Sequence, residues 1–179
     1  DKLPVGTINI LLYIDADLSK EALASALVSC TEAKVAAMQE LLIASRYSCG
    51  IATGTGTDGA IIISNAESKT HLTNAGKHSK LGELIGRTVI SSIKEALKLQ
   101  QGITPQIQHD IIHRMDCFGV TEDALWDCYK ETYRNLIRAE FTDILDRIRT
   151  DDTLVTYTSL YAHLLDQLSW GLLSFAECR

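Results

Sequence analysis

The sequence predicts an α/β or α+β fold, with a mixed or antiparallel sheet packed by helices and a helical C-terminal extension. Over the first hundred residues, short segments rich in β-branched residues alternate with long segments rich in alanine and leucine, a pattern typical of mixed strands and helices. From about residue 101 onward the pattern is plain amphipathic helix. With 46% apolar residues among 179, the chain can bury a core of ordinary size.

Three strands are predicted in the first part of the chain. The segment from Val5 to Ile14 places apolar residues at every second position, which predicts a strand buried on one face and partly on both. β-Branched residues predict a second strand near residues 47–53 and a third at 60–64. These strands form the expected sheet.

Two long helices are predicted beside these strands from the helical spacing of leucine and alanine. The first covers about residues 18–42, and Asp17 is its expected N-cap. The second covers about residues 80–99, with Ser79 as its expected N-cap, and two glycines four positions apart in its first half permit a close neighbour.

The second part of the chain begins with a helix stop at Gln101-Gly102 and a new helix start at Thr104-Pro105. Apolar residues at helical spacing predict three further helices. These cover about residues 105–116, 121–149 and 154–175.

Charge divides the chain in the same place. Residues 1–100 carry ten Lys and Arg against ten Asp and Glu, whereas residues 101–179 carry seven against thirteen. Eight of the eleven glycines lie in the first hundred residues, and glycine collects where backbone turns sharply or approaches a ligand. We therefore expect the functional residues in a region 1–100, and in 101–179 an acidic helical extension whose apolar surface suits a homo-oligomer.

Composition argues against several classes of protein. The net charge of −6, without a cluster of Lys and Arg, makes nucleic acid an unexpected partner. No run approaches the roughly 18 uninterrupted apolar residues of a membrane span, and no basic segment precedes an apolar one, so we expect no signal peptide. Five scattered cysteines without a CxxC pair predict neither a disulfide framework nor a zinc site, and favour a cytoplasmic location.

The most unusual segment of the chain is Ala52-Thr53-Gly54-Thr55-Gly56-Thr57-Asp58-Gly59. Its glycines match GxGxxG, but a β-branched run follows where the dinucleotide fingerprint requires a helix, so we reject that interpretation. Two interpretations remain. The loop alone favours a hairpin turn with Asp58-Gly59 at its corner; the alternative is a nest that binds a ligand through free N–H groups, with glycines at positive φ.

A second polar segment, from Asn74 to Gly86, leads into the helix that Ser79 is expected to cap. Lys77 and His78 fall just outside the positive end of this helix, and Glu83 lies one turn inside it. The positive helix end favours a neutral imidazole at His78, which can accept a proton. The alternative is a basic helix entry whose Lys and His are simply solvated.

The second part contains two histidines, His109 and His113, four positions apart on one helix face. Asp116 is the only other ligand nearby, so we expect a surface or interface pair and no metal. Four aromatic residues are expected to form a core or a subunit contact: Trp126, Tyr129, Tyr133 and Phe141.

Four motifs occur in a fixed order over about eighty residues: Gly6-Thr7-Ile8-Asn9-Ile10, Thr31-Glu32-Ala33-Lys34, Ala52-Thr53-Gly54-Thr55-Gly56-Thr57-Asp58 and Gly76-Lys77-His78-Ser79-Lys80-Leu81-Gly82-Glu83-Leu84-Ile85-Gly86. Together they resemble the adenosylcobinamide amidohydrolases of corrinoid salvage, and four motifs are far more specific than one glycine loop. The resemblance implies hydrolysis of the amide that joins aminopropanol to the corrin ring, which yields adenosylcobyric acid for coenzyme B12 synthesis.

The resemblance and the clustering of polar residues together suggest roles. Asp58 or His78 activates water, and His78 or Glu83 returns the proton to the leaving amine. Lys77 assists backbone N–H groups in holding the oxyanion. Glu32 and Lys34 either orient these groups or contact the amides of the corrin. The expected substrate-binding residues are Thr53, Gly54, Thr55, Gly56, Thr57, Glu32, Lys34 and Asn9.

No cofactor is expected, because cobalt enters only as part of the corrinoid substrate. The Asp-x-His-x-x-Gly motif that binds cobalt in methyl-transfer modules is absent around His78. Members of the family carry a considerable segment before the Gly-Thr-Ile-Asn motif, and the helices after residue 101 have no counterpart in them. We therefore expect either a fragment or a variant with one half replaced.

Two functions other than hydrolysis remain open. One is a non-catalytic corrinoid-binding or regulatory module, because a binding nest and a catalytic nest have the same residues. The other is a phosphate-binding enzyme that uses the glycine-rich loop, which predicts affinity for nucleotides and none for corrinoids.

Overall fold

The structure, a computed structural model, describes residues 6–45, 47, 48, 50–133, 135, 137–174 and 176. The chain divides into two compact units, the first made of Asp1–Ser45 and Ile51–Thr104 and the second of Arg46–Gly50 and Pro105–Arg179. The first unit contains β1 (Asn9–Ile14), β2 (Asp17–Leu18), α1 (Lys20–Glu40), β3 (Gly59–Ser64), β4 (His71–Leu72) and α2 (Lys80–Gln101).

The strands of the first unit form two parallel pairs. β1 pairs with β3 from Asn9 opposite Gly59 to Ile14 opposite Ser64, and β2 pairs with β4. The predicted α/β or α+β class is confirmed, but both pairs are parallel where we expected a mixed or antiparallel sheet. The reason is α1, which carries the chain back along the sheet between β1 and β3, as a parallel crossover requires.

The strand expected near residues 47–53 is not present in the described part of that segment. Ile51 makes only an isolated antiparallel bridge with Ala44, and the Ala52 amide donates to the Ile43 carbonyl at 2.7 Å. The segment therefore pairs with the chain that leaves α1 and does not join the sheet. Residue 49 of this prediction lies outside the described residues.

Helix α1 begins after Ser19, whose Oγ accepts a hydrogen bond from the Ala22 amide at 3.2 Å. The prediction of Asp17 as the N-cap is wrong, because Asp17 lies in β2 and its Oδ2 lies 2.6 Å from His71 Nδ1. A row of small buried side chains lets α1 pack closely: Ala22, Ala26, Cys30, Ala33 and Ala37.

Helix α2 begins and ends where the sequence predicts. Ser79 Oγ accepts from the Gly82 amide at 3.0 Å, which confirms the N-cap, and Gly102 ends the helix with a left-handed φ of 69°. The helix packs against α1 and completes the core with four apolar residues: Ile85, Val89, Ile93 and Leu97.

The second unit is helical, with α3 (Pro105–Gln108), α4 (Ile111–Met115), α5 (Glu122–Thr132), α6 (Arg138–Ile148) and α7 (Asp152–Ser169). The single helices predicted over 105–116 and 121–149 are wrong. Buried Asp110 interrupts the first by accepting hydrogen bonds from the amides of Ile112 and His113 as the N-cap of α4. Tyr133, in an extended conformation, ends α5.

Helix α7 starts at the Asp151 cap and ends at Ser169, short of the predicted end at residue 175, which lies outside the described residues. The four aromatic residues singled out above contact one another between α5 and α6. In the part of the chain that the structure describes, no helix combines the length and apolar character needed to cross a membrane.

Candidate active site

The carboxylate of Asp58 fixes the glycine-rich loop in place. Its Oδ1 accepts hydrogen bonds from the Ile8 amide at 2.9 Å and from Thr55 Oγ1 at 2.5 Å. Its Oδ2 accepts from Lys34 Nζ at 2.5 Å and from the Thr55 amide at 2.9 Å. One side chain therefore ties the loop to the start of β1 and to α1.

The Lys34–Asp58 ion pair is shielded from water, with side-chain exposures of 11% and 12%. Burial by itself raises the pKa of Asp58, but the hydrogen bonds from Lys34, Thr55 and Ile8 outweigh it and bring the pKa to about 2. Asp58 is therefore ionised at neutral pH with both oxygens engaged. This arrangement suits the positioning of the loop, and the predicted role of Asp58 in activating water stays a prediction.

Gly54 permits the close packing of this pair. A Cβ at Gly54 would lie 2.5 Å from Asp58 Oδ2 and 2.7 Å from Lys34 Nζ, whereas a Cβ at Gly56 would meet nothing within 4 Å. Neither glycine has a positive φ, so the positive φ expected for a nest is wrong. The hairpin turn is wrong as well, because Asp58-Gly59 leads directly into β3, whose partner is parallel β1.

The amides of Gly54 and Gly56 donate no hydrogen bond within the described residues. The loop therefore carries two backbone donors available to a ligand. Among its threonines, Thr57 Oγ1 lies 2.6 Å from Thr7 Oγ1 and links the loop a second time to the segment just before β1. Thr53 is exposed, and its hydroxyl makes no hydrogen bond to any described residue.

The site has two polar corners: the glycine-rich loop is the first, and residues 74–79 are the second. The second corner is also held in place by hydrogen bonds. The Gly76 amide donates to Asn74 Oδ1 at 2.8 Å, and Ser79 Oγ donates to the Gly76 carbonyl at 2.8 Å. Buried Ser29 of α1 donates from its Oγ to the Ala75 carbonyl at 3.0 Å. Sequence reasoning missed Ser29, although a hydroxyl on the apolar face of a helix signals a buried partner.

The candidate catalytic side chains of this corner are exposed. Lys77 Nζ lies 2.8 Å from Glu32 Oε1. His78 makes no hydrogen bond within the described residues. A hydrogen bond from Lys80 and the charges of Lys80 and Arg87 lower the pKa of Glu83, so Glu83 is ionised at neutral pH and is poorly suited to donate a proton.

Helix α1 connects the two corners. Ser29 and Glu32 contact the corner at residues 74–79, whereas Lys34 holds the glycine-rich loop. Ser29 and Lys34 are about 8 Å apart along the helix axis, and Glu32 and Lys34 project about 160° apart around it. The two corners therefore lie on the two flanks of one short stretch of α1.

Asn9 lies beside the glycine-rich loop at the start of β1. A Cβ at Gly59 would come within 2.9 Å of its Oδ1, and the Asn9 side chain is exposed.

In the second unit, His109 Nε2 lies 3.0 Å from Asp152 Oδ1, and His113 Nδ1 lies 2.9 Å from the Ile107 carbonyl oxygen. Within the described residues, no group of three or more His, Cys, Asp or Glu can hold a metal ion.

Comparison with known proteins finds similarity over the first part of the chain. The family model described as adenosylcobinamide amidohydrolase matches residues 1–105. An uncharacterized protein of Methanocaldococcus jannaschii is 42% identical over 103 residues, which are 57% of this chain and 40% of the relative. An adenosylcobinamide amidohydrolase of Methanosarcina mazei is 37% identical over an alignment of 103 residues that covers 53% of this chain and 48% of the relative.

No solved structure matches the chain. The chain spans less than half the length of the two relatives, and the shared region contains both polar corners and the helix that connects them. On the family model, which covers more than half of its residues, the chain belongs to the adenosylcobinamide amidohydrolase family.

Proposed function

We propose that the chain hydrolyses the amide that joins aminopropanol to the corrin ring of adenosylcobinamide, releasing aminopropanol and adenosylcobyric acid for coenzyme B12 salvage in the cytoplasm. Membership in the family and the name of the Methanosarcina relative support the proposal. The observation that carries it is the pair of unbonded amides at Gly54 and Gly56, on a loop fixed by a buried ion pair. Cobalt enters this reaction only as part of the substrate.

Amide hydrolysis needs donors for the oxyanion, a base for water and an acid for the leaving amine. In our proposal the Gly54 and Gly56 amides donate to the carbonyl oxygen as it becomes negative. His78 takes a proton from the water whose oxygen attacks the carbonyl carbon, and it then protonates the nitrogen as the C–N bond breaks. Lys77 adds positive charge, and Asp58 positions the loop.

The proton return is assigned to His78 because Glu83 is ionised at neutral pH. Glu32 contacts Lys77 and Lys34 contacts Asp58, so both act in the proposal by orienting the two corners. In the proposal the corrin ring and its projecting amide side chains contact both corners, and Thr53, Thr55, Thr57 and Asn9 offer further polar contacts.

The second candidate function is a non-catalytic corrinoid-binding module. It is favoured by the span of the chain, which covers less than half of each relative. In this case the same amides and side chains hold the corrinoid, and no amide bond is cleaved.

Incubation of the purified chain with adenosylcobinamide tests the proposal. We expect release of aminopropanol, measured by mass spectrometry, and a fall in turnover of about a hundredfold in His78→Ala. Because His78 is exposed and unbonded within the described residues, this substitution leaves folding intact. The matched control is His71→Ala, an exposed histidine paired with Asp17, for which we expect unchanged turnover.

Three outcomes separate the alternatives. Binding of adenosylcobinamide without release of aminopropanol would replace the hydrolase with the binding module. Affinity for nucleotides and none for corrinoids would favour the phosphate-binding enzyme. Equal turnover in His78→Ala and the unmodified chain would remove His78 from the mechanism.

A further inference from the structure

Counting only the residues that the structure describes, the sheet of the first unit has one covered face and one uncovered face. On the covered face, side chains of β1 and β3 such as Ile10, Leu12 and Ile62 pack on the core with α1 and α2. The outer face carries large apolar residues with high exposure: Leu11 69%, Tyr13 59%, Ile61 62% and Ile63 38%. In the strand register, Leu11 lies opposite Ile61 and Tyr13 opposite Ile63, so the four form one continuous patch.

Parallel sheets are almost always covered on both faces, because their strands are apolar on both sides and their crossovers supply helices as cover. Here α1 and α2 pack against each other in a single core, so both helices of the unit cover the same face. A two-stranded sheet is also only marginally stable unless further strands or another layer pack against it. Continuous exposed apolar patches of this kind mark interaction surfaces.

Two facts indicate what covers the outer face of the sheet. The 103 aligned residues are only 40% and 48% of the two relatives, so more than half of each relative lies outside the shared region. A second copy of this chain would bring an identical parallel sheet face, and face-to-face sheet packing is typical of antiparallel sandwiches. A parallel sheet calls for a helical layer instead.

We propose that the outer face of the β1–β3 sheet docks the polypeptide that corresponds to the part of the family outside the 103 shared residues, as the second layer of an α/β domain. The patch consists of Leu11, Tyr13, Ile61 and Ile63 and has no charged residue among its strand positions, so its partner presents an apolar helix face. This inference rests on membership in the family and is independent of the proposed reaction.

Co-expression tests this partner directly. The 179-residue chain, with an affinity tag, is produced together with the regions of the Methanosarcina mazei relative that lie outside the aligned residues. We expect a one-to-one complex by size-exclusion chromatography with light scattering. Leu11→Lys, which places a charge in the patch, should weaken the complex at least about tenfold.

The control is Leu99→Lys on α2, where leucine is 77% exposed and, two positions after buried Leu97, projects from the opposite side of the helix. We expect the affinity of this variant to equal that of the unmodified chain. Circular dichroism checks that both variants stay folded. Failure to form a complex, or equal weakening by both substitutions, would overturn the proposal. Self-association of the chain alone that Leu11→Lys abolishes would identify a second copy as the occupant and would also overturn it.

Discussion

Alanine in place of Gly82 is expected to destabilise the first unit by about 3 kcal/mol or more, since there is no room for a methyl group at this position. A Cβ there would lie 2.1 Å from the Gly76 carbonyl oxygen and 2.6 Å from the Gly76 carbonyl carbon. These atoms belong to backbone that Ser79 holds by hydrogen bonds, so relief of the clash requires the corner at residues 74–79 to move.

The matched control is Gly86→Ala, one turn further along α2, where a Cβ would meet nothing within 4 Å. Alanine is the better helix former, so this variant should gain up to about 1 kcal/mol. Both tryptophans lie in the second unit, so their fluorescence is unsuited to the measurement. Hydrogen exchange of α1 and β1 in increasing urea gives the free energy of unfolding, and a Gly82→Ala chain as stable as Gly86→Ala would contradict the close packing.

Asparagine in place of Asp58 is expected to destabilise the first unit by about 3–5 kcal/mol, because it leaves the Lys34 ammonium buried without its counter-charge. The amide also presents an NH2 group to donors that now bind both carboxylate oxygens, from Ile8, Thr55 and Lys34. The free energy of unfolding is again measured by hydrogen exchange in urea.

Two further variants serve as controls for the Asp58→Asn result. Asp17→Asn removes a carboxylate whose partner, His71, is exposed, and should cost less than about 1 kcal/mol. Lys34→Met combined with Asp58→Asn removes both charges and should recover part of the stability lost in Asp58→Asn alone. A single Asp58→Asn variant that unfolds at the same urea concentration as Asp17→Asn would show that the ion pair is not the anchor of the loop.

Much of the first unit is predictable from local patterns. Ser79 caps α2 and Gly102 ends it as expected, since both signals act within a few residues of their own position. The alternation in β1 and the β-branched run in β3 likewise place those strands. The parallel pairing was missed, because strand direction depends on the path of α1 and not on the residues of either strand.

The helical unit was harder to predict for a related reason. Asp110 interrupts an apolar pattern that continues on both sides of it, and its capping of α4 and its ion pair with Arg149 involve atoms up to 39 positions apart. Periodicity alone reads such a segment as one helix. Aspartate is typical of N-caps, so Asp110 did indicate the start of a new helix. The prediction followed the apolar periodicity instead.

In the candidate site, too, local features were predictable and contacts between distant residues were not. The two polar corners are predictable from composition, because glycine, threonine and charged residues cluster there. The contact between Lys34 and Asp58 spans 24 positions, and that between Ser29 and Ala75 spans 46, so only the folded chain brings them together. A lysine on the apolar face of α1 was the available signal, since a buried charge requires a partner.

In the proposed function, the two corners on the flanks of α1 bind one corrinoid together. Titration of the isotopically labelled chain with adenosylcobinamide, followed by backbone amide NMR, tests it most directly. We predict that the amide signals of Gly54 and Gly56 and those of Gly76, Lys77 and His78 shift over the same ligand concentrations and saturate together. A response confined to one corner, or none at either, would contradict the claim.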